Sequence, residues 1–143
     1  MSKTFIIGLG IFLCGQAFAE PLITLKEASL PEASGTLSTR GIARGPGVKL
    51  VSPDSGQTIS SPFDLKLAFQ ARGDGKIDSD SVKIYYLKAN PVDLTDRLKK
   101  GISKEGLEFL KAEVPPGKHT LRVTVKDIEG HETNSLITLL VEK

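Results

Sequence analysis

The chain has 143 residues, with 19 Lys and Arg against 17 Asp and Glu, and one Cys. So even a balance gives no electrostatic reason to expect nucleic acid or an anionic membrane as a partner. A single Cys excludes an internal disulfide, so a chain long enough for one ordinary domain must be held by a packed core.

The first nineteen residues read as a cleavable secretory signal. Lys3 supplies the positive start, Phe5 to Leu13 an apolar run too short for a membrane span, and Ala17-Phe18-Ala19 the small residues that signal peptidase reads. Cleavage is expected between Ala19 and Glu20. Cys14 follows Leu13 rather than the small residue a lipobox wants, so it reads as part of the apolar run. The expectation is export to the periplasm or the medium, with no transmembrane segment after cleavage.

Residues 20–47 read as a flexible N-terminal arm, mobile or loosely packed. Pro21, Pro31, Pro46 and four glycines interrupt a stretch rich in Ala, Ser and Thr. Within it, 22–30 suits a short helix, with Thr24 as N-cap and Glu27 three residues on. Arg40 and Arg44 read as solvated charges.

Short strands follow. A first at 48–51 closes on the turn Ser52-Pro53-Asp54-Ser55-Gly56. A second at 63–70 alternates, with Phe63, Leu65, Leu67 and Phe69 on one face and Asp64, Lys66 and Gln70 on the other. Such alternation marks a sheet with one wet face. A third, 81–87, turns Val82, Ile84 and Tyr86 inward and leaves Tyr85 outside. The segment 91–100 then reads as one short helix. Asn90 suits its N-cap, Pro91 its first turn and Gly101 the position past its end, with Leu94 and Leu98 as its apolar stripe. Strands at 107–112, 118–126 and 133–142 complete the pattern. The fifth turns Leu121, Val123 and Val125 inward.

The predicted fold is all-β: an antiparallel β-sandwich of about six or seven strands over 48–143, with one short crossing helix. Two stretches carry a resemblance. Leu50-Val51-Ser52-Pro53-Asp54-Ser55-Gly56 resembles the opening strand and turn of bacterial Ig-like and fibronectin type III-like modules, and the run from Gly117 to Gly130 resembles their closing hairpin. The resemblance implies an Ig-like sandwich over about two-thirds of the chain and implies no particular function, because this fold hosts many roles. The chain departs from the pattern in having no Trp and no Cys pair, and in placing a helix where a strand is usual.

Candidate chemistry is sparse. A catalytic triad needs a nucleophile and a carboxylate-held His in one pocket. The two His residues, His119 and His131, come with no nucleophile motif, and His119 reads as a packed residue at the sandwich rim. Asp74, Asp78 and Asp80 read as one loop, and Asp127, Glu129 and His131 as another; in an Ig-like sandwich these loops share one end. Oxygen-rich loops suit calcium, so these six are the candidate metal ligands. Arg72-Gly73-Asp74 spells the tripeptide integrins recognise but is also ordinary loop chemistry. Lys88, Arg97, Lys99, Lys100 and Lys104 gather around the predicted helix, either as a patch for an acidic polymer or as a solvated face.

The sequence therefore points away from an enzyme and toward a periplasmic or secreted binding module with no required cofactor. Its expected partner is an envelope protein or polysaccharide. The alternatives are a structural accessory domain of a larger envelope assembly and a cation-dependent adhesion module.

Overall fold

A computed structural model describes residues 21–34, 44–54 and 56–143. The expected signal and its Ala19–Glu20 cleavage point, together with Cys14 and Arg40, lie outside the described residues.

Two sheets face each other. Strands β1 (Gly47–Ser52), β3 (Phe63–Gln70) and β6 (Gly106–Ala112) form a three-stranded sheet in the order β1-β3-β6. Strands β2 (Thr58–Ser60), β4 (Ile77–Tyr86), β5 (Val92–Asp93), β7 (Gly117–Asp127) and β8 (Glu132–Glu142) form the other, in the order β2-β8-β7-β4-β5. The alternating strands turn their apolar faces toward each other. Leu65, Leu67, Phe69, Val82, Ile84, Tyr86, Leu121, Val123 and Val125 are buried, and Phe63 packs half-buried against them. Each aliphatic side chain so buried contributes about 1.5–3 kcal/mol.

The all-β sandwich is as expected, with three differences. The pairing is not wholly antiparallel: β2 runs parallel to β8, Thr58 opposite Leu140 and Ser60 opposite Glu142. A three-residue strand with one apolar side chain carries no legible period. The third strand starts four residues early, at Ile77, so Asp78 and Asp80 lie in β4 rather than in a loop. The crossing helix is shorter than 91–100. Helix α2 (Thr95–Leu98) runs into a 3-10 turn, Lys99–Gly101.

Hydrogen bonding to the edge of β4 explains the late start of α2. The Leu94 N–H donates to the Ile84 carbonyl at 2.8 Å, and the Thr95 hydroxyl accepts the Ile84 N–H at 3.0 Å. Val92 and Asp93 are thereby drawn into the sheet, and neither Asn90 nor Pro91 begins the helix. The Asp93 carboxylate accepts the Thr95 N–H at 2.9 Å instead. The stripe is as expected, since Leu94 and Leu98 are fully buried. Gly101 is glycine for close approach rather than for a helix end: a Cβ there would lie 1.9 Å from the Glu108 carbonyl oxygen.

The largest correction concerns the N-terminal arm. Helix α1 (Leu25–Ala28) is shorter than the expected 22–30, but its cap is as expected, with the Thr24 hydroxyl accepting the Glu27 N–H and the Glu27 carboxylate accepting the Thr24 N–H. The arm's described residues 21–34 are not loose. Leu22 and Ile23 belong to the core, 0% and 2% exposed, and both of their N–H groups donate to the Glu113 carbonyl. Residues 21–34 are a strap docked on the sandwich.

Candidate functional site

The hairpin between β7 and β8 is organised by one carboxylate. Asp127 Oδ1 accepts the N–H groups of Glu129 at 3.0 Å and His131 at 2.9 Å. Its Oδ2 lies 2.9 Å from His131 Nδ1, and the same Nδ1 lies 3.6 Å from a Glu129 carboxylate oxygen. Gly130 closes the turn at φ +90°, with its N–H on the Asp127 carbonyl. Asp127 is only 7% exposed, whereas the His131 and Glu129 side chains face solvent. Burial works to raise the Asp127 pKa, but the hydrogen bonds from His131 and Glu129 outweigh it and hold the carboxyl below its ordinary value.

The β3–β4 turn meets this hairpin, as expected for one end of the sandwich. The Ile128 N–H donates to the Lys76 carbonyl at 2.8 Å, and Ile77 pairs with Asp127. Of the six candidate ligands, Asp127, Glu129 and His131 can each aim one donor atom into a space where all lie within 4.8 Å of one another. That group does not include Asp74, Asp78 or Asp80. Asp74 is exposed on the turn. Asp78 sits opposite Lys126, and its carboxylate accepts the Asp80 N–H at 3.1 Å. The Arg72-Gly73-Asp74 turn is exposed, with Gly73 at φ +58° and the Gly75 N–H on the Arg72 carbonyl; Arg72 is itself engaged within the chain.

The other imidazole has a structural setting. His119 is 3% exposed, with Nε2 2.7 Å from the Pro115 carbonyl oxygen and Nδ1 2.8 Å from the Tyr86 hydroxyl. A carbonyl only accepts, so Nε2 carries the proton and Nδ1 accepts from Tyr86. Burial lowers the His119 pKa and keeps the ring neutral. Among the described residues, neither His is hydrogen-bonded to a Ser or Thr hydroxyl, the arrangement that activates a nucleophile.

The basic residues near α2 do not form one patch. Lys88 is buried, with its ammonium against Glu32 of the strap and 5.2 Å from the Tyr86 ring centre. Burial works against its charge, but Glu32 and Tyr86 outweigh that and raise its pKa above the ordinary lysine value. Arg97 binds Glu27 and the Leu22 carbonyl. Lys99, Lys100 and Lys104 are left as exposed, solvated groups. Tyr85 is half-buried, with the Arg122 guanidinium 5.3 Å from its ring centre. The sequence alone did not mark Glu32. The capping box pointed to Glu27 only as a local cap.

Among the described residues, no helix is long and apolar enough to cross a membrane. No family model matches the chain. No curated protein matches it either. Among solved structures it is similar to CopC from Methylosinus trichosporium OB3b, at 19% identity and a TM-score of 0.44, over 67% of this chain and 94% of that one. It is also similar to an engineered protein from the Northeast Structural Genomics Consortium, at 13% identity and a TM-score of 0.44. That match covers 71% of this chain and only 21% of the engineered one. At these identities and scores neither likeness bears on function.

Proposed function

We propose that the chain is a non-enzymatic interaction module of the bacterial envelope, periplasmic or secreted, and that it works through the end of the sandwich formed by the β7–β8 hairpin. In this reading Asp127, Glu129 and His131 hold a divalent cation there. The observation that carries it is the convergence of two carboxylates and one imidazole within 4.8 Å, on a hairpin whose backbone Asp127 already pins.

The donor set changes the expected ion. Calcium wants six to eight oxygens, whereas an imidazole nitrogen with two carboxylates suits zinc and its transition-metal neighbours. Binding through His131 Nδ1 requires that nitrogen to give up its proton, so the ring would carry its proton on Nε2 and affinity would rise with pH.

Titration of the mature protein with Zn²⁺ and, separately, Ca²⁺ tests this by NMR and melting temperature. The expected result is a Zn²⁺-dependent shift of the His131 ring resonances and a higher melting temperature, both abolished in His131→Ala. No response to either ion removes the cation reading. A response that survives His131→Ala moves the site elsewhere.

A further inference from the structure

Lys88 is a buried cation whose counter-ion comes from the surface. Its side chain is 2% exposed, whereas that of Glu32 is 78% exposed. The cation is backed by the sandwich itself: Tyr86 of β4 lies beneath it, and the Tyr86 hydroxyl is fixed by His119 of β7. None of that backing involves the strap. The strap supplies the carboxylate, and the Ala89 N–H to Pro31 carbonyl bond, 2.8 Å long, holds the segment beside it.

A buried ammonium without a partner is costly, so Lys88 requires an anion beside it for as long as it is covered. The anion it has is carried on a segment of the chain that is not part of either sheet. The geometry is that of a recognition pocket filled in cis: a fixed cation with a hydroxyl beside it, and one carboxylate reaching in from solvent.

We propose that Lys88, with Tyr86 behind it, is a carboxylate-binding site that Glu32 occupies as an internal ligand. A carboxylate on another molecule takes that place when residues 31–34 lift away. The ligand class is a carboxylate group, either the side chain of an acidic peptide or a small free acid. The site lies near the start of β7, whereas the hairpin of the proposed cation site is at the far end of that strand, so this inference does not depend on the cation reading.

Chemical rescue of the full mature chain tests it. Glu32→Ala is expected to lower the melting temperature by about 5 °C. Acetate is expected to restore most of that loss, while chloride at the same ionic strength does not. The peptide acetyl-Leu-Pro-Glu-Ala-Ser-amide, which copies residues 30–34, should also restore it, and its Gln-for-Glu analogue should not. Rescue by the peptide alone identifies an acidic peptide as the ligand; rescue by acetate alone identifies a small acid. Adding Lys88→Met to Glu32→Ala should abolish either rescue. If Glu32→Ala does not fold, Glu32→Gln carries the same titrations. The proposal is overturned if neither acetate nor the Glu peptide stabilises the variant, if chloride or the Gln peptide does so equally, or if rescue persists in the Lys88→Met background.

Discussion

Arg97 grips Glu27 with both Nη atoms, at 2.8 and 2.5 Å, although the two residues lie 70 positions apart. The same guanidinium donates to the Leu22 carbonyl at 2.9 Å, so one side chain of α2 clamps the strap at two points. Bidentate Arg–carboxylate pairs are the geometrically specific kind.

This clamp sets an acid limit on the strap. The hydrogen bond from Arg97, helped by Thr24, outweighs burial and lowers the Glu27 pKa from 4.5 to about 2. A carboxyl lowered on folding contributes stability that is complete above the unfolded value and is lost as pH falls through the folded one. Glu27→Gln should therefore cost about 1 kcal/mol at neutral pH, the modest value solvent screening leaves to a partly exposed pair. The gap between variant and wild type should close between pH 4.5 and 2. Urea melts of both proteins across that range measure it; a gap that stays constant would refute the assignment.

Leu22 should behave as a core residue. Leu67→Ala and Leu121→Ala are each expected to cost about 2–5 kcal/mol, and Leu22→Ala should fall in the same range although it lies outside both sheets. Denaturant midpoints at constant slope report these losses. A Leu22→Ala midpoint equal to wild type would mean that the strap is not part of the folded core in solution.

His119 should make the protein acid-sensitive in a second window. Its pKa is lowered from 6.5 by burial, so the folded state disfavours the charged ring and stability falls as pH drops below 6.5. Tyr86→Phe removes the donor to Nδ1 and leaves a buried acceptor unpaired, at a cost of about 1–3 kcal/mol. Nitrogen chemical shifts of the ring should report a proton on Nε2 at neutral pH. A proton on Nδ1 would reverse the hydrogen bond with Tyr86 and contradict the geometry.

Gly106 should not tolerate a side chain. It pairs with Ala68 across β3 and β6, and a Cβ there would lie 1.9 Å from the Leu67 carbonyl oxygen. The obstacle is backbone, so the strand must shift, and Gly106→Ala should cost about 1–3 kcal/mol. Faster amide exchange along β6 should accompany the loss. Unchanged exchange would mean that the strand accommodates the methyl group without moving.

What was legible in the sequence followed from short-range repetition. Phe63, Leu65, Leu67 and Phe69 alternate, as do Leu121, Val123 and Val125, and alternation alone assigns an inner face. Thr24 and Glu27 form a cap complete within four residues. Leu94 and Leu98, four apart, assign the buried side of α2. Ile77 to Asp80 was not legible as strand because Asp78 and Asp80 interrupt it, and only pairing with β7 draws it into the sheet.

The sequence by itself thus determined the class of fold, the two inner faces and the Thr24 cap, because each depends on residues within a few positions of one another. Only the tertiary structure decided that Leu22 and Ile23 enter the core, that Lys88 is buried against Glu32, and that Asp74, Asp78 and Asp80 stand outside the group of Asp127, Glu129 and His131. Two adjacent apolar residues have no period, and a lysine reads as solvated wherever it stands. Their environments are made by partners such as Glu113, Glu32 and Arg97, which the path of the chain brings in from far along the sequence.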